Sequence, residues 1–305
     1  MSRRIVSLLP SATEIVCALG VPNWLVGRSH ECDFPELVCH LPACTRAKLD
    51  SSKPSAAIDR DVKSLLANAL TIYDVDAAQL RELRPDVILT QAQCEVCAVN
   101  VADVEKAVAG WTGRQPRIIS LSPQHLAEVW TDIQNVADAL ELHEEGRAVV
   151  RALKNRVVAL IEKACVVKRR PSVACLEWLD PLMAAGNWVP ELIELAGGLN
   201  LFGEAGKHSP WLNWEAIQEH DPEVIIALPC GFNLARTRAE FGALTSRPDW
   251  LKLRAVKNGR VALTDGNAFF NRPGPRLVES LEILGEILHP ELFNLGHRSN
   301  GWEPL

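Results

Sequence analysis

The stretch that decides the fold runs from Glu144 to Lys168 and reads EEGRAVVRALKNRVVALIEKACVVK. Its apolar residues recur at three- and four-residue spacing, the period of one helical face: Val149, Leu153, Val157, Leu160, Ile161 and Ala164. About two dozen residues that rise ~1.5 Å each give a rod of roughly 36 Å. The pattern therefore predicts one long helix that spans two lobes.

The segments on either side of this helix repeat one layout. Residues 80–90 read LRELRPDVILT, and residues 217–227 read IQEHDPEVIIA. Each reads as the end of a helix, a proline that cannot continue it, an acidic residue and a buried strand. In each half a later strand opens with arginine, Arg117 or Arg260, and an amphipathic helix ends the half, over 124–140 or 276–288. The duplication indicates two copies of a strand–helix unit.

We therefore predict an α/β protein of two Rossmann-like lobes joined by a single long backbone helix. The N-terminal lobe is expected over residues 1–142, the backbone helix over 143–168 and the C-terminal lobe over 169–305. A length of 305 residues with 48% apolar content is sufficient for two cores. One large doubly wound domain is the alternative that the alternation leaves open.

Composition and charge exclude several classes of function. A net charge of -6 argues against a nucleic-acid partner. No apolar run approaches the ~20 residues that membrane insertion needs. The apolar run Ile5–Leu9 ends at Pro10, short of the roughly 7–15 residues of a signal peptide, so a cytoplasmic location with reduced cysteines is expected. The chain has no GxGxxG, Walker A, GxSxG or HExxH motif, and we predict that it is not an enzyme.

Unusual side chains follow the predicted strands, where open parallel sheets bind their ligands. We expect a cleft between the lobes that holds a large flat ligand, with aromatic side chains for stacking and polar ones for its edges. The stacking candidates are Trp178, Trp188, Phe269 and Phe270, and the orienting candidates are Glu177, Asn187, Asn271 and Arg272. The remaining candidates are His30, Glu31, Cys32, Asp33, Gln91 and Phe232.

Cys94 and Cys97 form a CxxC pair with the ligand spacing of zinc or an iron–sulfur cluster. A full site needs four ligands and the chain has no second CxxC, so buried or idle thiols are the alternative. Completing the site would take His30, Cys32 or Cys230. The rival function is accordingly a cytosolic metal- or cysteine-dependent enzyme with Glu177 or Asp180 as its acid–base group.

Motifs along nearly the whole chain resemble those of one known family. They lie at Ile5–Glu14, Val26–Pro35, Leu83–Asp86, Ala196–Gly198 and Pro275–Arg276. The resemblance is to the cobalamin and iron-chelate periplasmic binding family of ABC importers, and among these to the cobalamin-binding members. It implies a solute-binding protein that holds cobalamin, or a related corrinoid or metal chelate, between two lobes. The ligand contacts it implies are His30–Phe34, Gln91, Trp188 and Phe269–Arg272.

Two departures from the family pattern matter. Where the cobalamin binder has aromatic residues in its N-terminal lobe, this chain has Glu31 and Gln91, which leaves a metal ion or a different chelate as the alternative ligand. Transport-coupled members also carry one glutamate on each lobe that pairs with permease arginines. The C-terminal position matches Glu215, but the N-terminal position falls on Ala78, which makes docking to an ABC permease doubtful. Because a single long helix resists bending, we expect binding with little domain motion.

Overall fold

The computed structural model of the chain describes residues 2–67, 72–91, 101–109, 111 and 115–305. Contacts between residues divide the chain into two compact units. Unit 1 comprises residues 1–53, 57–123 and 127–152, and unit 2 comprises residues 54–56, 124–126 and 153–305. The lobe boundaries expected after residues 142 and 168 stay predictions.

Unit 1 is built on a four-stranded parallel sheet with the strand order β2-β1-β5-β6. Strands β3 and β4 form a separate antiparallel pair. The central strands are buried throughout, as expected of a parallel sheet covered on both faces. The strands are β1 (Ile5–Ser7), β2 (Leu25–Arg28), β3 (Thr45–Ala47), β4 (Tyr73–Val75), β5 (Val87–Gln91) and β6 (Arg117–Leu121).

Unit 2 has a six-stranded sheet in which a parallel core carries antiparallel additions. β10 lies between β7 and β11 in parallel, and β9 pairs in parallel with the start of β7. β8 folds back on the end of β7, and β12 closes the far edge against β11, both antiparallel. The strands are β7 (Ser172–Leu179), β8 (Leu182–Ala184), β9 (Leu199–Asn200), β10 (Val224–Ala227), β11 (Val261–Thr264) and β12 (Trp302–Pro304).

The two parallel sheets have the same order. In each, the first strand (β1 or β7) has the second (β2 or β9) on one side and the third (β5 or β10) on the other, with the fourth (β6 or β11) beyond. The duplicated α/β layout predicted from the sequence is therefore confirmed. The alternative of one continuous doubly wound sheet is not what the described strands form.

Helices connect the strands in both units. Unit 1 contains α1 (Pro10–Ala18), α2 (Ser55–Ala67), α3 (Ala77–Leu83), α4 (Val101–Val108) and α5 (Leu126–Ala139). After them comes α6 (His143–Ala164). Unit 2 contains α7 (Val189–Leu195), α8 (Trp214–His220), α9 (Leu234–Glu240), α10 (Gly242–Thr245), α11 (Arg254–Lys257) and α12 (Leu277–Leu288). None of the described helices is long and apolar enough to cross a membrane.

Helix α6 is the long helix that the sequence predicts, and it contributes residues to both units. Leu153, Val157, Leu160 and Ala164 are buried along it, four residues that share one face. On the polar face Arg156 donates to Glu282 at 2.8 Å, which attaches α6 to α12. The helix ends at Ala164, four residues before the predicted end, because the chain turns there and approaches Pro171.

The predicted start of α1 was wrong in its detail. The sequence pattern Ser11-Ala12-Thr13-Glu14 indicates a capping box with Ser11 as the N-cap. In the structure the helix begins at Pro10 with Leu9 as the N-cap, and no side chain caps it. Proline suits the first helical position because it has no N–H to satisfy and its φ is already helical. Ser11 and Glu14 therefore lie inside the helix, where both are buried.

The segment from Glu36 to Ser55, predicted as an irregular loop, contains a short helical turn and β3. Thr45 pairs with Val75 and Ala47 with Tyr73 across 26–30 residues of chain. Each strand has only three residues, too few for an alternating pattern, so this pairing was not predicted. Its consequence is functional, because it brings Thr45 and Tyr73 to the end of β2.

Candidate functional site

The candidate site of unit 1 lies at the carboxyl ends of β1, β2 and β5, three neighbouring strands. Ser29, His30 and Glu31 follow β2 directly, and Gln91 is the last residue of β5. Parallel strands end at the same edge of a sheet, so the topology brings these predicted residues to one edge. Asp33 and Phe34 are exposed beyond them.

His30 is held by hydrogen bonds on several sides. Its Nδ1 lies 2.8 Å from Thr45 Oγ1, and its backbone N–H donates to the same oxygen at 3.1 Å. Ser29 Oγ lies 3.0 Å from Thr45 Oγ1, and both hydroxyl residues are buried. Burial of the imidazole, with a contribution from the Arg28 guanidinium, lowers the pKa of His30. A neutral, fixed imidazole results.

Glu31 and Tyr73 extend this arrangement. The Tyr73 hydroxyl donates to Glu31 Oε1 at 3.1 Å, and the Tyr73 ring packs against the His30 ring with centroids 5.7 Å apart. Both Tyr73 and Thr45 come from the antiparallel pair β3–β4, and sequence reasoning missed both. No local pattern marks them, because only the fold brings them near β2.

Cys32 turns toward the interior. Its thiol is 1% exposed, accepts a hydrogen bond from Thr13 Oγ1 at 3.1 Å and lies 4.0 Å from the Ser7 carbonyl oxygen. Thr13 belongs to α1 and Ser7 to β1, so Cys32 joins the end of β2 to the first strand–helix unit. This position suits packing, which is the usual role of a buried cysteine.

Gln91 presents a different situation. Its side chain is only 6% exposed, and its Nε2 has no hydrogen-bond acceptor within reach among the residues that the structure describes. Buried amide groups are nearly always paired, and leaving one unpaired costs roughly 1–3 kcal/mol.

The predicted metal pair Cys94 and Cys97 lies outside the described residues, as do all residues from 92 to 100. In the described ranges no group of three His, Cys, Asp or Glu side chains is placed to hold a metal ion. The cysteines in these ranges are free thiols. Zinc or iron–sulfur binding therefore has no support from the part of the chain that can be inspected.

The equivalent edge of unit 2 is closed by its own hydrogen bonds. Ser209 Oγ donates to Glu177 Oε2 at 2.8 Å and accepts from the Gly186 N–H at 3.0 Å. Trp188 Nε1 donates to the Phe270 carbonyl oxygen at 2.9 Å. These bonds tie the end of β7 and the start of α7 to neighbouring loops. Asn187 sits between them with a positive φ of 51°, half-buried.

A second group at this edge is aromatic. The Trp178 and Phe232 ring centroids lie 5.2 Å apart, and the Arg236 guanidinium lies over the Phe232 ring, 4.0 Å from its centroid. Trp178 Nε1 donates to the Asp180 carbonyl oxygen at 3.1 Å. Phe232 is 2% exposed, whereas Trp178 is half-buried. Trp178 is therefore the member of this group whose surface is open.

The turn after β11 holds the last predicted residues. Asp265 accepts from the Ala268 N–H at 2.7 Å, and Asn271 Nδ2 donates to the Leu228 and Gly266 carbonyl oxygens at 3.0 and 2.9 Å. A Cβ on Gly266 would collide with the backbone after β10, which is why the turn needs glycine. The remaining predicted residues differ in exposure: Phe270 and Arg272 are buried, and Phe269 is half-buried.

The C-terminal residues support this turn, a role that the sequence did not reveal. Asp265 N donates to the Gly301 carbonyl oxygen at 2.9 Å, and the Phe269 and His297 rings lie 6.3 Å apart, edge to face. His297 Nε2 lies 2.7 Å from Glu282 Oε2 on α12. We call residues 292–305 the C-terminal strap, because they bring β12 back to the sheet beside the turn.

The two positions considered for permease docking occupy equivalent places. In α3, Asp76 caps the helix by accepting from the Gln79 N–H, and in α8, Asn213 caps it by accepting from the Ala216 N–H. Ala78 and Glu215 are each the second residue of their helix, and both are exposed. The difference between the two units at this position is therefore one of charge alone.

Comparison with known proteins identifies the class of protein to which the chain belongs. The chain belongs to the Periplasmic binding protein family, whose profile matches residues 5–268. This is a family of solute-binding proteins, so the chain is not an enzyme, and the rival metal- or cysteine-dependent enzyme does not hold.

Individual relatives are distant but cover nearly the whole chain. A protein named as an uncharacterized ABC transporter substrate-binding lipoprotein of Bacillus subtilis is 23% identical over 296 residues, which are 95% of this chain and 81% of that protein. The vitamin B12-binding protein of Vibrio cholerae is 24% identical over 298 residues, which are 92% of this chain and 87% of that protein. The structure of a periplasmic heme-binding protein from Pseudomonas aeruginosa aligns with a TM-score of 0.73 at 20% identity, over 100% of this chain and 98% of that one.

The family corrects one prediction. A cytoplasmic location was expected from the short apolar run before Pro10, and this is wrong: the family and the relatives are periplasmic binding proteins or lipoproteins, which work outside the cytoplasm. The apolar run that was compared with a signal peptide is a strand of the fold and does not indicate the compartment. Ile5–Ser7 is the central strand β1, and its shortness and position follow from the fold.

Proposed function

We propose that this chain is the solute-binding component of an ABC importer and that its ligand is cobalamin or a related corrinoid. The family and the vitamin B12-binding relative support the class of ligand. The residues proposed to contact it are those at the two strand-end edges, with Gln91, His30 and Glu31 from unit 1 and Trp178, Asn187 and Phe269 from unit 2. That the ligand lies between the lobes stays a prediction.

The single observation that carries the proposal is Gln91. Its buried Nε2 has no acceptor among the described residues, and a buried amide without an acceptor costs free energy. A corrin ring is fringed by amide side chains whose carbonyl oxygens accept hydrogen bonds. A ligand amide at the end of β5 would supply the missing acceptor and recover that free energy on binding.

Charge favours a corrinoid over a heme at the same edge. A heme carries carboxylate side chains, and the end of β2 already carries Glu31 and Asp33. Two like charges about 4 Å apart repel by roughly 4 kcal/mol at the effective dielectric of a protein surface. An amide-fringed ligand avoids this repulsion and accepts donors such as Gln91 instead.

The stacking surface would come from unit 2. Trp178 and Phe269 are half-buried, whereas Phe232, Phe270 and Trp188 pack inside the unit. The buried rings thus support the open ones rather than contacting ligand with their faces. This assigns the predicted stacking role mainly to Trp178 and Phe269.

Permease docking concerns the first turns of α3 and α8. Glu215 is an exposed charge in the first turn of α8, where a permease arginine would reach it. The equivalent position of unit 1 is the uncharged Ala78. We propose that any docking depends on the α8 side, and that Glu215→Ala weakens it while Ala78→Glu strengthens it in vesicle uptake with the cognate permease.

Isothermal titration against cobalamin, cobinamide and heme tests the ligand. We expect the wild-type chain to bind a corrinoid more tightly than heme. Gln91→Leu should weaken corrinoid binding by about tenfold or more, the equivalent of one lost hydrogen bond to a buried group. Gln115→Leu, which removes an exposed amide of the same unit, is the matched control and should bind as wild type. Binding of heme without binding of either corrinoid would overturn the proposal.

A further inference from the structure

The two ring nitrogens of His30 differ in their contacts with the described residues: Nδ1 is hydrogen-bonded and Nε2 is not. Nδ1 lies 2.8 Å from Thr45 Oγ1, and the backbone N–H of His30 bonds the same oxygen. Among the described residues no hydrogen-bond partner reaches Nε2. The ring itself is half-buried at the end of β2 and packed against Tyr73, so its orientation is set by the fold.

The hydrogen bonds around Thr45 accommodate a proton on Nδ1. Thr45 Oγ1 then accepts from the His30 backbone N–H and from Nδ1–H, and its own hydroxyl donates to Ser29 Oγ at 3.0 Å. Every donor and acceptor of the Thr45 hydroxyl is used in this arrangement. In this tautomer the Nε2 atom keeps its lone pair, which is the form in which an imidazole binds a metal.

This is the arrangement that supports a metal-binding histidine. Such a histidine almost always donates its other ring N–H to a fixed acceptor, which sets both the tautomer and the direction of the free lone pair. Thr45 is 5% exposed and Ser29 is 3% exposed, so the acceptor is part of the core and does not move with solvent. The carbonyl oxygen of His30 is held as well, by Arg28 Nη1 at 3.3 Å.

We propose that His30 Nε2 is an axial ligand to the metal of the bound chelate, with Thr45 as its positioning residue. The inference rests on the proposed function, and it narrows the ligand to chelates whose metal has an exchangeable axial position. In the binding step the bond from cobalt(III) to an axial water breaks and a bond to Nε2 forms. Water leaves, both ligands are neutral, the metal keeps its oxidation state, and no proton is released because Nε2 carries none.

The test compares two forms of one corrinoid. Diaquocobinamide has exchangeable axial water, whereas dicyanocobinamide has both axial positions occupied by strongly bound cyanide. We expect the wild-type chain to shift the visible absorption bands of the diaquo form, as replacement of oxygen by nitrogen on cobalt requires, and to leave those of the dicyano form unchanged.

Variants separate the axial bond from other contacts. His30→Ala should abolish the spectral shift and lower affinity for the diaquo form by about tenfold to a hundredfold, a larger loss than for the dicyano form. Thr45→Val, which keeps the side-chain shape without the acceptor, should reduce the selectivity for the diaquo form in the same direction. His40→Ala, an exposed histidine ten residues along, should behave as wild type in every respect.

The outcomes distinguish this inference from the function beneath it. Binding of the diaquo form with no spectral shift, or a shift that survives in His30→Ala, overturns the axial role and leaves corrinoid binding standing. Equal loss of both forms in His30→Ala also overturns it, since that result assigns His30 to packing. Failure of the wild-type chain to bind either form overturns the proposed function together with this inference.

Discussion

The two units share a strand order but treat their strand ends in opposite ways. At the edge of unit 2, three side chains make hydrogen bonds to neighbouring backbone or side-chain atoms: Glu177, Trp188 and Asn271. At the edge of unit 1, Gln91 Nε2 has no acceptor among the described residues, and the half-buried His30 ring is hydrogen-bonded through Nδ1. Hydrogen bonds within unit 2 complete its edge, and we propose that a ligand completes the edge of unit 1.

This difference teaches that a duplicated fold can divide the work of binding. A satisfied edge is rigid, and it presents open aromatic surface such as Trp178 at little conformational cost. An unsatisfied edge costs stability in the free protein and returns it on binding. Substitutions at the edge of unit 2 should therefore lower the free energy of unfolding, whereas Gln91→Leu at the edge of unit 1 should raise it.

The largest change in the free energy of unfolding is expected where α12 holds the C-terminal strap. Glu286 on α12 is buried, and its carboxylate accepts from Trp302 Nε1 and the Gly296 N–H, both at 2.7 Å, and from Leu295 N–H. Burial by itself raises the pKa of Glu286, but these hydrogen bonds outweigh it and the pKa is lowered. Glu286→Gln should therefore lower the free energy of unfolding by about 3 kcal/mol at neutral pH.

Urea unfolding followed by tryptophan fluorescence measures this loss, with Glu219→Gln on the exposed side of α8 as the control. Because the folded-state pKa of Glu286 is lowered, its contribution is present above the unfolded value of about 4.5 and disappears as the pH falls through the folded value. A loss as large at pH 3 as at pH 7 would contradict the assignment to the ionised carboxylate.

Trp188→Phe is expected to cost about 1–2 kcal/mol, because it leaves the Phe270 carbonyl oxygen without its donor and removes part of a buried ring. Thermal unfolding of this variant is compared with that of Trp211→Phe, whose indole is 57% exposed. Equal effects of the two substitutions would show that the hydrogen bond at the edge of unit 2 is not what stabilises it.

Gln91→Leu should act in the other direction and raise the free energy of unfolding of the ligand-free protein by about 1 kcal/mol, because it removes an unpaired buried amide. The measurement is the same urea titration, with Gln115→Leu as the exposed control. Destabilisation by Gln91→Leu would mean that the Gln91 amide contributes to the fold, and the contrast between the two edges would fail.

The smallest effect is one of pH. The hydrogen bond to Glu282 raises the pKa of His297, so the pair stabilises the protein below the unfolded value of about 6.5, and that contribution is lost as the pH rises through the folded value. His297→Gln should cost about 1 kcal/mol near pH 6 and almost nothing near pH 9. His40→Gln should show no such difference, and a pH-independent cost in His297→Gln would contradict the ion pair.

Much of the fold follows from the sequence because it depends on local patterns. The end of α3 just before Pro85 and the start of β6 at Arg117 agree with prediction, since a proline stands close to each limit. The repeat LRPDVIL and HDPEVII predicted equivalent strands, and β5 and β10 hold equivalent places in their sheets. Local signals failed where two of them competed, as at Pro10 and Ser11.

The site was predictable only in part. His30, Gln91 and Trp188 could be proposed from the sequence because they follow recognisable strands or belong to motifs. Thr45 was not, since it reaches His30 through a pairing of short strands that no periodicity announces. The exposure of each ring could not be predicted either. Trp178 and Phe232 are both aromatic residues near strand ends, and their exposure depends on what packs over them in the folded protein.

Anomalous diffraction at the cobalt edge from crystals grown with diaquocobinamide tests the central claim most directly. We predict a single strong cobalt peak at bonding distance from His30 Nε2, with a ligand amide oxygen accepting from Gln91 Nε2. A cobalt peak away from the end of β2, or a bound corrinoid that leaves Gln91 Nε2 without a partner, would contradict the account.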